Sequence, residues 1–477
     1  MTATGATGAG DLAYASAPGR WVLLATVLGS GMVFLDGTVV NVALRPIGSD
    51  LDAGLSALQW VVNGYTLALA SLILLGGSLG DRFGRRRVFV VGTVWFAGAS
   101  LLCGLAPDPS TLIAFRVLQG IGGALLTPGS LAILQTAFRH EDRARAIGAW
   151  SGLAGLASAA GPVLGGWLVG QLSWRWAFLI NVPFALAVVL VSVRHVPESR
   201  DAEAAPHLDG IGAGLGALGL GATTYALIAW PDGGADALDV AAAVVGVAAM
   251  VAFVLRERTA RFPMLPLGLF RSRTFSAANL ATFAIYGGLG GVFLLLVLEL
   301  QVVDGFSPLK AGSMLLPLTA VMLLVSARMG GVVNRIGPRW PMTVGSLVAG
   351  TGVVLMSRLP SGGASVPRVL LMVAVVGLGM SVLVAPLTAS VLGSVEDRFA
   401  GVASGTNNAV SRAAGLLAVA ALPALVGLTG DEYADPHALH PAYQHATLIC
   451  AGLFAAGALV SLVGVPDVLR AHPVDAD

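Results

Sequence analysis

A chain of 477 residues that is 56% hydrophobic and only 11% charged, with 63 glycines, carries more apolar surface than a water-soluble fold of that length can bury. A net charge of +1 gives no electrostatic basis for binding nucleic acid. The two cysteines, Cys103 and Cys450, both lie in apolar runs and read as packing residues, with neither a disulfide framework nor a metal site.

Residues 1–20 are rich in Ala, Gly and Thr, with Arg20 the only base. They lack the basic region of a cleavable signal peptide, so a disordered cytoplasmic tail is expected there. Fourteen apolar segments follow, at 21–43, 58–79, 88–106, 111–134, 147–172, 176–193, 210–230, 237–255, 276–302, 310–333, 340–359, 367–392, 405–428 and 444–465. Each is close to the ~20 residues a membrane helix needs.

The first segment carries FLDGTVVNVALRP, residues 34–46, with Asp36 among apolar neighbours. A carboxylate in hydrocarbon costs several kcal/mol, which makes Asp36 a functional candidate by default. After the second segment comes GSLGDRFGRRR, residues 77–87. Gly77 and Gly84 permit a tight turn. Asp81 can pair with a nearby arginine or face a helix N-terminus, where the helix dipole favours an anion, and Arg82 and Arg85 are counted with it in this motif.

The fourth segment holds Arg116 and Gln119 in LIAFRVLQGIGGA. At 1.5 Å per residue Arg116 lies ~8 Å from the outer end of its helix, and Asp36 ~7 Å from the outer side of a ~30 Å core. Charges at one depth are expected to pair, although an Arg can also snorkel to the interface. The fifth segment, SGLAGLASAAGPVLGGW, presents a small-residue face that includes Gly161, Gly165 and Gly166. Pro162 bends it, and a Gly-Pro bend can pack a neighbour or seal a cavity.

Glu299 ends the ninth segment, either as a solvated helix end or as a cation-attracting group at a cavity mouth. The thirteenth contains Asn407, Asn408 and Arg412. Together with Asn63, Tyr65, Gln119, Tyr286 and Glu299 they are the candidate substrate contacts. Residues 431–445, with His437, His440 and His445, read as a solvated outer loop in preference to a metal site.

Orientation follows from the basic residues. With the N-terminus inside, 19 of the 27 fall on inner segments and five on outer loops, so both termini are expected in the cytoplasm. GSLGDRFGRR at 77–86 is echoed by GGVVNRIGPR at 330–339, and EDR at 141–143 by EDR at 396–398. Two matches at nearly one offset imply a repeat. The expected plan is a six-helix half at 21–200, two inserted helices within 201–262, a second six-helix half at 263–470 and a tail at 471–477. Repeated halves around a midplane site are how many secondary transporters are built.

The sequence resembles a major facilitator superfamily carrier of the fourteen-helix drug:proton antiporter branch. LDGTVVNVAL resembles that branch's first-helix signature, GSLGDRFGRRR the loop 2–3 motif, and FRVLQGIGGA the fourth-helix motif. SAAGPVLGG resembles the antiporter motif, with Ala157 where a glycine is usual, and WRWAFLINVP, residues 174–183, a segment common in the branch. Arg45 intervenes before Pro46, where the family's signature usually runs Ala-Leu-Pro.

The resemblance implies an all-α membrane fold and a proton-coupled exporter of small amphipathic organic compounds, and Glu299 makes cationic ones the expectation. Asp36 and Arg116 would lie near the proton path, and Asp81 in a conformational latch. It implies no cofactor beyond the proton. Expected partners are small molecules, protons and lipid, with no nucleic acid, for a monomer of the plasma membrane. A dedicated exporter of one metabolite and a non-transporting sensor are the alternatives. A membrane enzyme is set aside, because no phosphate loop, metal cluster or nucleophile–base pair is present in the sequence.

Overall fold

The computed structural model describes residues 12–201, 209–233, 236–396 and 399–467, and every regular element among them is helical. The first group comprises α1 (Ala17–Leu51), α2 (Leu55–Phe83), α3 (Arg85–Gly104), α4 (Pro109–Ala137), α5 (His140–Gln171), α6 (Trp176–Leu179) and α7 (Asn181–His195). A pair follows, α8 (Gly210–Gly233) and α9 (Ala237–Thr259). The last group is α10 (Arg273–Val302), α11 (Pro308–Ser313), α12 (Leu316–Ile336), α13 (Arg339–Met356), α14 (Val366–Leu392), α15 (Ala400–Leu425) and α16 (Pro436–Gly464).

Thirteen helices among the described residues are long and apolar enough to cross a membrane. The remaining predicted segment, 340–359, is the 18-residue helix α13, which opens on Arg-Trp-Pro. Capping residues set several helix starts. Ser16, Asp108, Ser307 and Asp435 each precede a helix with proline in its first turn, and each side chain accepts a backbone N–H of that turn.

Three sequence expectations change. Residues 12–16, expected in a disordered tail, are ordered. Leu12 is buried, its N–H donates to the Ala137 carbonyl at 3.1 Å, and its carbonyl accepts from Arg139 at 3.1 Å. Ser16 then caps α1. The segment expected as an outer loop at 431–445 is mostly the start of α16, because Asp435-Pro436 initiates a helix. The sixth segment is two helices, broken at Ile180. Residues 1–11, the EDR echo from 397 onward and the 471–477 tail lie outside the described residues, as do the side chains of 330–335 in the second loop motif.

In the first group α4 packs on α2 and α3, and α1 on α5 and α7. In the last group α10 packs on α15 and α16, and α14 on α12 and α13. The groups meet where α2 touches α15 and where α5 touches α11 and α12. The sequence repeat relates the second segment to the tenth and the fifth to the thirteenth. It therefore exchanges these two contacts, so the interface is two-fold in plan. The α8–α9 pair lies against both groups through α2 and α15.

One end of the molecule is sealed. Gln301 donates to the Val42 carbonyl at 3.1 Å, and Arg45 donates to the Gln301 carbonyl. Leu55 N–H reaches the Gly430 carbonyl at 3.0 Å, and the Tyr433 hydroxyl donates to the Ala53 carbonyl at 2.9 Å. Burial holds that phenol above its ordinary pKa, so it stays a donor. The largest hydrophobic core extends into this end, where it includes Val39, Leu44 and Ile47 of α1 and Leu294 and Leu298 of α10.

Glycines of α5 make the seal possible. A Cβ on Gly166 would stand 2.6 Å from the Leu309 Cα, and one on Gly165 would stand 2.8 Å from a Val39 methyl. Gly166→Leu is therefore expected to push α11 off α5 and open this end. A cysteine replacing the buried Ala53 should then react with a water-soluble maleimide about tenfold faster or more, since overpacking costs about 1–3 kcal/mol. Equal labelling rates with and without Gly166→Leu would show that this contact does not hold the seal.

Candidate functional site

Helix α1 divides its residues among three neighbours, as a period of 3.6 dictates. Phe34, Gly37 and Asn41 face a central cavity. Thr38 and Val39 face α5, where the Thr38 hydroxyl reaches the Ser158 carbonyl at 3.2 Å and the small Gly161 and Gly165 leave room. Asp36 turns into the first helix group and is fully buried.

There the carboxylate accepts from three side chains. Arg116 Nη1 donates to Oδ2 at 2.6 Å, Gln119 Nε2 to Oδ1 at 2.8 Å, and Asn181 Nδ2 to Oδ1 at 3.0 Å. Ser100 closes the network, its hydroxyl 2.6 Å from Gln119 Nε2 and 3.3 Å from Asn181 Nδ2. Arg116 also donates through Nε to the Val61 carbonyl of α2 at 2.9 Å and to Gln119 Oε1. Its guanidinium lies 4.3 Å from the centre of the Tyr65 ring and 5.6 Å from that of Phe178. This is a buried ion pair in which both carboxylate oxygens and the Arg116 Nε and Nη1 are hydrogen-bonded, which helps such a pair to be tolerated in low dielectric.

Beside the network lies a cavity of about 480 Å³ between the helix groups. Its wall comes from α1, α2, α10, α14 and α15, and it reaches Leu392 and Ser404, close to the helix ends opposite the sealed face. Three rings, Phe34, Tyr286 and Phe293, contribute apolar surface. Asn63 is fully buried and neither of its amide atoms has a partner among the described residues. Asn407 lines the wall while donating to Thr282 Oγ1 at 2.7 Å and Asn279 Oδ1 at 3.2 Å. Asn408 and Arg412 line it one turn apart.

The sequence-predicted residues thus fall into separate places. Asp36, Arg116 and Gln119 come together, and Asn63, Tyr286, Asn407, Asn408 and Arg412 share the cavity. Tyr65 and Gln119, expected as substrate contacts, do not line it. Tyr65 points into the first helix group and donates to the Val33 carbonyl at 3.4 Å. Glu299 is neither a solvated end nor a cavity-mouth residue. It is fully buried, and one oxygen meets His440 Nδ1 of α16 at 2.5 Å.

Asp81 pairs with Arg85 at 2.7 Å, and its backbone carbonyl accepts from Asp201 at 3.0 Å. Gly84, at φ +110°, makes the turn there, with the Glu198 carboxylate packed where a Cβ would go. Arg82 lies over the Phe83 ring at 5.3 Å. Gly77 sits against Pro128, 3.6 Å from where its Cβ would be, and the Pro162 carbonyl abuts Gly312 of α11.

Sequence reasoning missed Asn181, Ser100 and Phe178. The signal was present in WRWAFLINVP, an apolar run interrupted by one asparagine two residues before a proline. The break at Ile180 aims Asn181 at Asp36, while Trp174 and Arg175 anchor the other end of the run on Asp50 at 2.8 and 2.7 Å. Among the described residues no three His, Cys, Asp or Glu side chains cluster as metal ligands.

A family model described as Major Facilitator Superfamily matches residues 26–419. The chain is 36% identical over 419 residues to a tetracenomycin C resistance and export protein of Streptomyces glaucescens, covering 87% of this chain and 77% of that one. It is 37% identical over 431 residues to a puromycin resistance protein of Streptomyces alboniger, covering 89% and 85%. Its fold matches an inward-facing, unoccupied bacterial homologue of the human lysosomal transporter Spinster with a TM-score of 0.67 at 18% identity, over 94% of this chain and 97% of that one.

Removing one partner of a buried ion pair strands the other. Arg116→Ala is expected to destabilise the first helix group by about 3–5 kcal/mol, and Arg116→Gln with Asp36→Asn to recover most of it. Thermal unfolding of the detergent-purified variants measures this. Equal melting of Arg116→Ala and the parent would mean that the pair contributes nothing.

Proposed function

The chain belongs to the major facilitator superfamily, in its multidrug-resistance efflux branch, and on that premise we propose that it exports amphipathic organic molecules in exchange for protons. It is a multi-pass transporter of the plasma membrane and not an enzyme. The proposed plan is two six-helix halves with α8 and α9 inserted between them, and both termini in the cytoplasm. The arginine distribution and the two-fold interface support that plan. On that orientation the sealed end is outer and the cavity is reached from the cytoplasm, as the first step of export requires.

The observation that carries the reading is the fully buried Asp36, three-fold hydrogen-bonded and on the same helix as cavity residues Gly37 and Asn41. An antiporter needs a group that takes a proton on one side and releases it on the other. A proton on Asp36 would remove the negative charge that holds Arg116 at 2.6 Å from Oδ2. The guanidinium would then be released to move. Besides Gln119 and the Phe178 ring, it contacts the Val61 carbonyl and the Tyr65 ring, both on α2, the helix that carries Asn63 and Thr66 into the cavity. Proton binding and cavity shape are coupled along that line. Substrate enters from inside, the bundle turns outward, Asp36 loads a proton as substrate leaves, and the return releases the proton inside. Asp81, paired with Arg85 in this conformation, would help close the inner end in the other.

A narrower reading, a dedicated exporter of one metabolite, is favoured by the two relatives above, each named for a single antibiotic. Gradient-driven flux of a panel of unrelated compounds against one favoured compound separates the two.

Asp36→Asn keeps size and removes the exchangeable proton. In proteoliposomes it is expected to abolish efflux driven by an imposed pH gradient and to leave substrate exchange without a gradient. Full coupling in the Asn variant would contradict the role given to Asp36. Asp81→Asn is expected to fold and to slow transport, through loss of about 0.3–2 kcal/mol from the inner-closed state. Parental rates would show that Asp81 is no latch.

A further inference from the structure

The cavity holds one charge, and it is positive. Arg412 is the sole charged side chain among the described residues of its wall, and no carboxylate lines it. The nearest intramembrane acids are committed elsewhere. Asp36 is saturated by Arg116, Gln119 and Asn181 on the far side of α1 and α2. Glu299 is held by His440 in the last helix group and does not reach the cavity. The Nε of Arg412 is buried and has no partner among the described residues. A guanidinium whose Nε is buried without a partner is costly, and it is retained where something in the working cycle meets it.

Its neighbours are suited to acceptors. One turn before Arg412 on α15 is Asn408, and across the cavity on α2 is Asn63, whose amide is also unpartnered. Phe34, Tyr286 and Phe293 add flat apolar surface, and a cavity of about 480 Å³ suits a ligand of drug size. A guanidinium offers a fork of N–H donors that matches a carboxylate or a comparable delocalised oxyanion.

We propose that the substrates are planar aromatic acids, carrying a carboxylate, phenolate or enolate that Arg412 binds, in place of the cationic compounds expected from Glu299. This rests on reading the cavity as the export site. Arg412 is then the residue that sets charge preference, distinct from the proton-handling Asp36 network. The ionised substrate neutralises Arg412 when it enters from the cytoplasm. When it leaves outward, the cavity regains its positive charge.

Three ligands on one ring system test this: naphthalene-2-carboxylate, naphthalene-2-carboxamide and 2-naphthyltrimethylammonium. Binding to the full chain in lipid nanodiscs is measured by equilibrium dialysis. The parent is expected to bind the carboxylate about tenfold or more tighter than the ammonium compound. Arg412→Gln should weaken the carboxylate about tenfold while changing the carboxamide less than about twofold, and Arg412→Lys should restore part of the preference. The order in the parent decides even if a variant fails to fold. Tighter binding of the ammonium compound, an unchanged carboxylate affinity in Arg412→Gln, or binding of none of the three would overturn the proposal. In proteoliposomes, a pH gradient that drives the ammonium compound alone would overturn it while leaving proton-coupled export standing. Arg412-dependent carboxylate binding without gradient-driven flux would support it and contradict the export reading.

Discussion

A carboxylate with no water around it must be held by donors, and the first helix group is built to hold Asp36. Helices α1, α3, α4 and α7 each contribute a polar side chain to one network, and α2 contributes the Val61 carbonyl. Five of the helices that form this group are therefore tied to one network around Asp36. The same fact makes the network responsive. A change in the protonation of Asp36 cannot stay local, because its donors lie on α4 and α7 and Arg116 ties α4 to α2 as well.

The second constraint is steric. Helices α1, α5 and α11 pass one another through Gly161, Gly165, Gly166 and Gly312, where no Cβ fits. Such contacts have little slack, so the two groups move as bodies about them more readily than they deform. The hydrogen bonds through Arg45, Gln301 and Tyr433 close one side, and the cavity takes the space that the groups leave on the other. Arg45, the residue that departs from the family's usual first-helix ending, takes part in that closure.

Much of this was legible in the sequence. Apolar segments of spanning length are conspicuous, and rise per residue alone brought Asp36 and Arg116 to one depth. Depth along a helix can be counted, but rotation about its axis cannot be read where both faces mix polar and apolar groups. Tyr65 shows this: it is two residues from the cavity residue Asn63 and one from Thr66, yet it faces Arg116 instead. Glu299 and His440 are separated by 141 residues, so nothing local announced their contact. Asn181 depends on a helix break at Ile180 that hydropathy does not register, because both sides of the break are equally apolar. Leu12 is ordered by an edge contact with Phe138 that no local pattern in an Ala-Gly-Thr stretch reveals.

The account stands on Asp36 changing its protonation as the molecule changes the side it faces. Difference infrared spectroscopy reads a carboxyl group directly. Spectra are compared between protein in the conformation described above and protein held by a crosslink across the cavity end with its sealed end opened. The account predicts that a protonated carboxyl band appears on that opening, is lost in the described conformation, and is missing from Asp36→Asn in both. An ionised Asp36 in both conformations, or the same band change in the Asn variant, would contradict it.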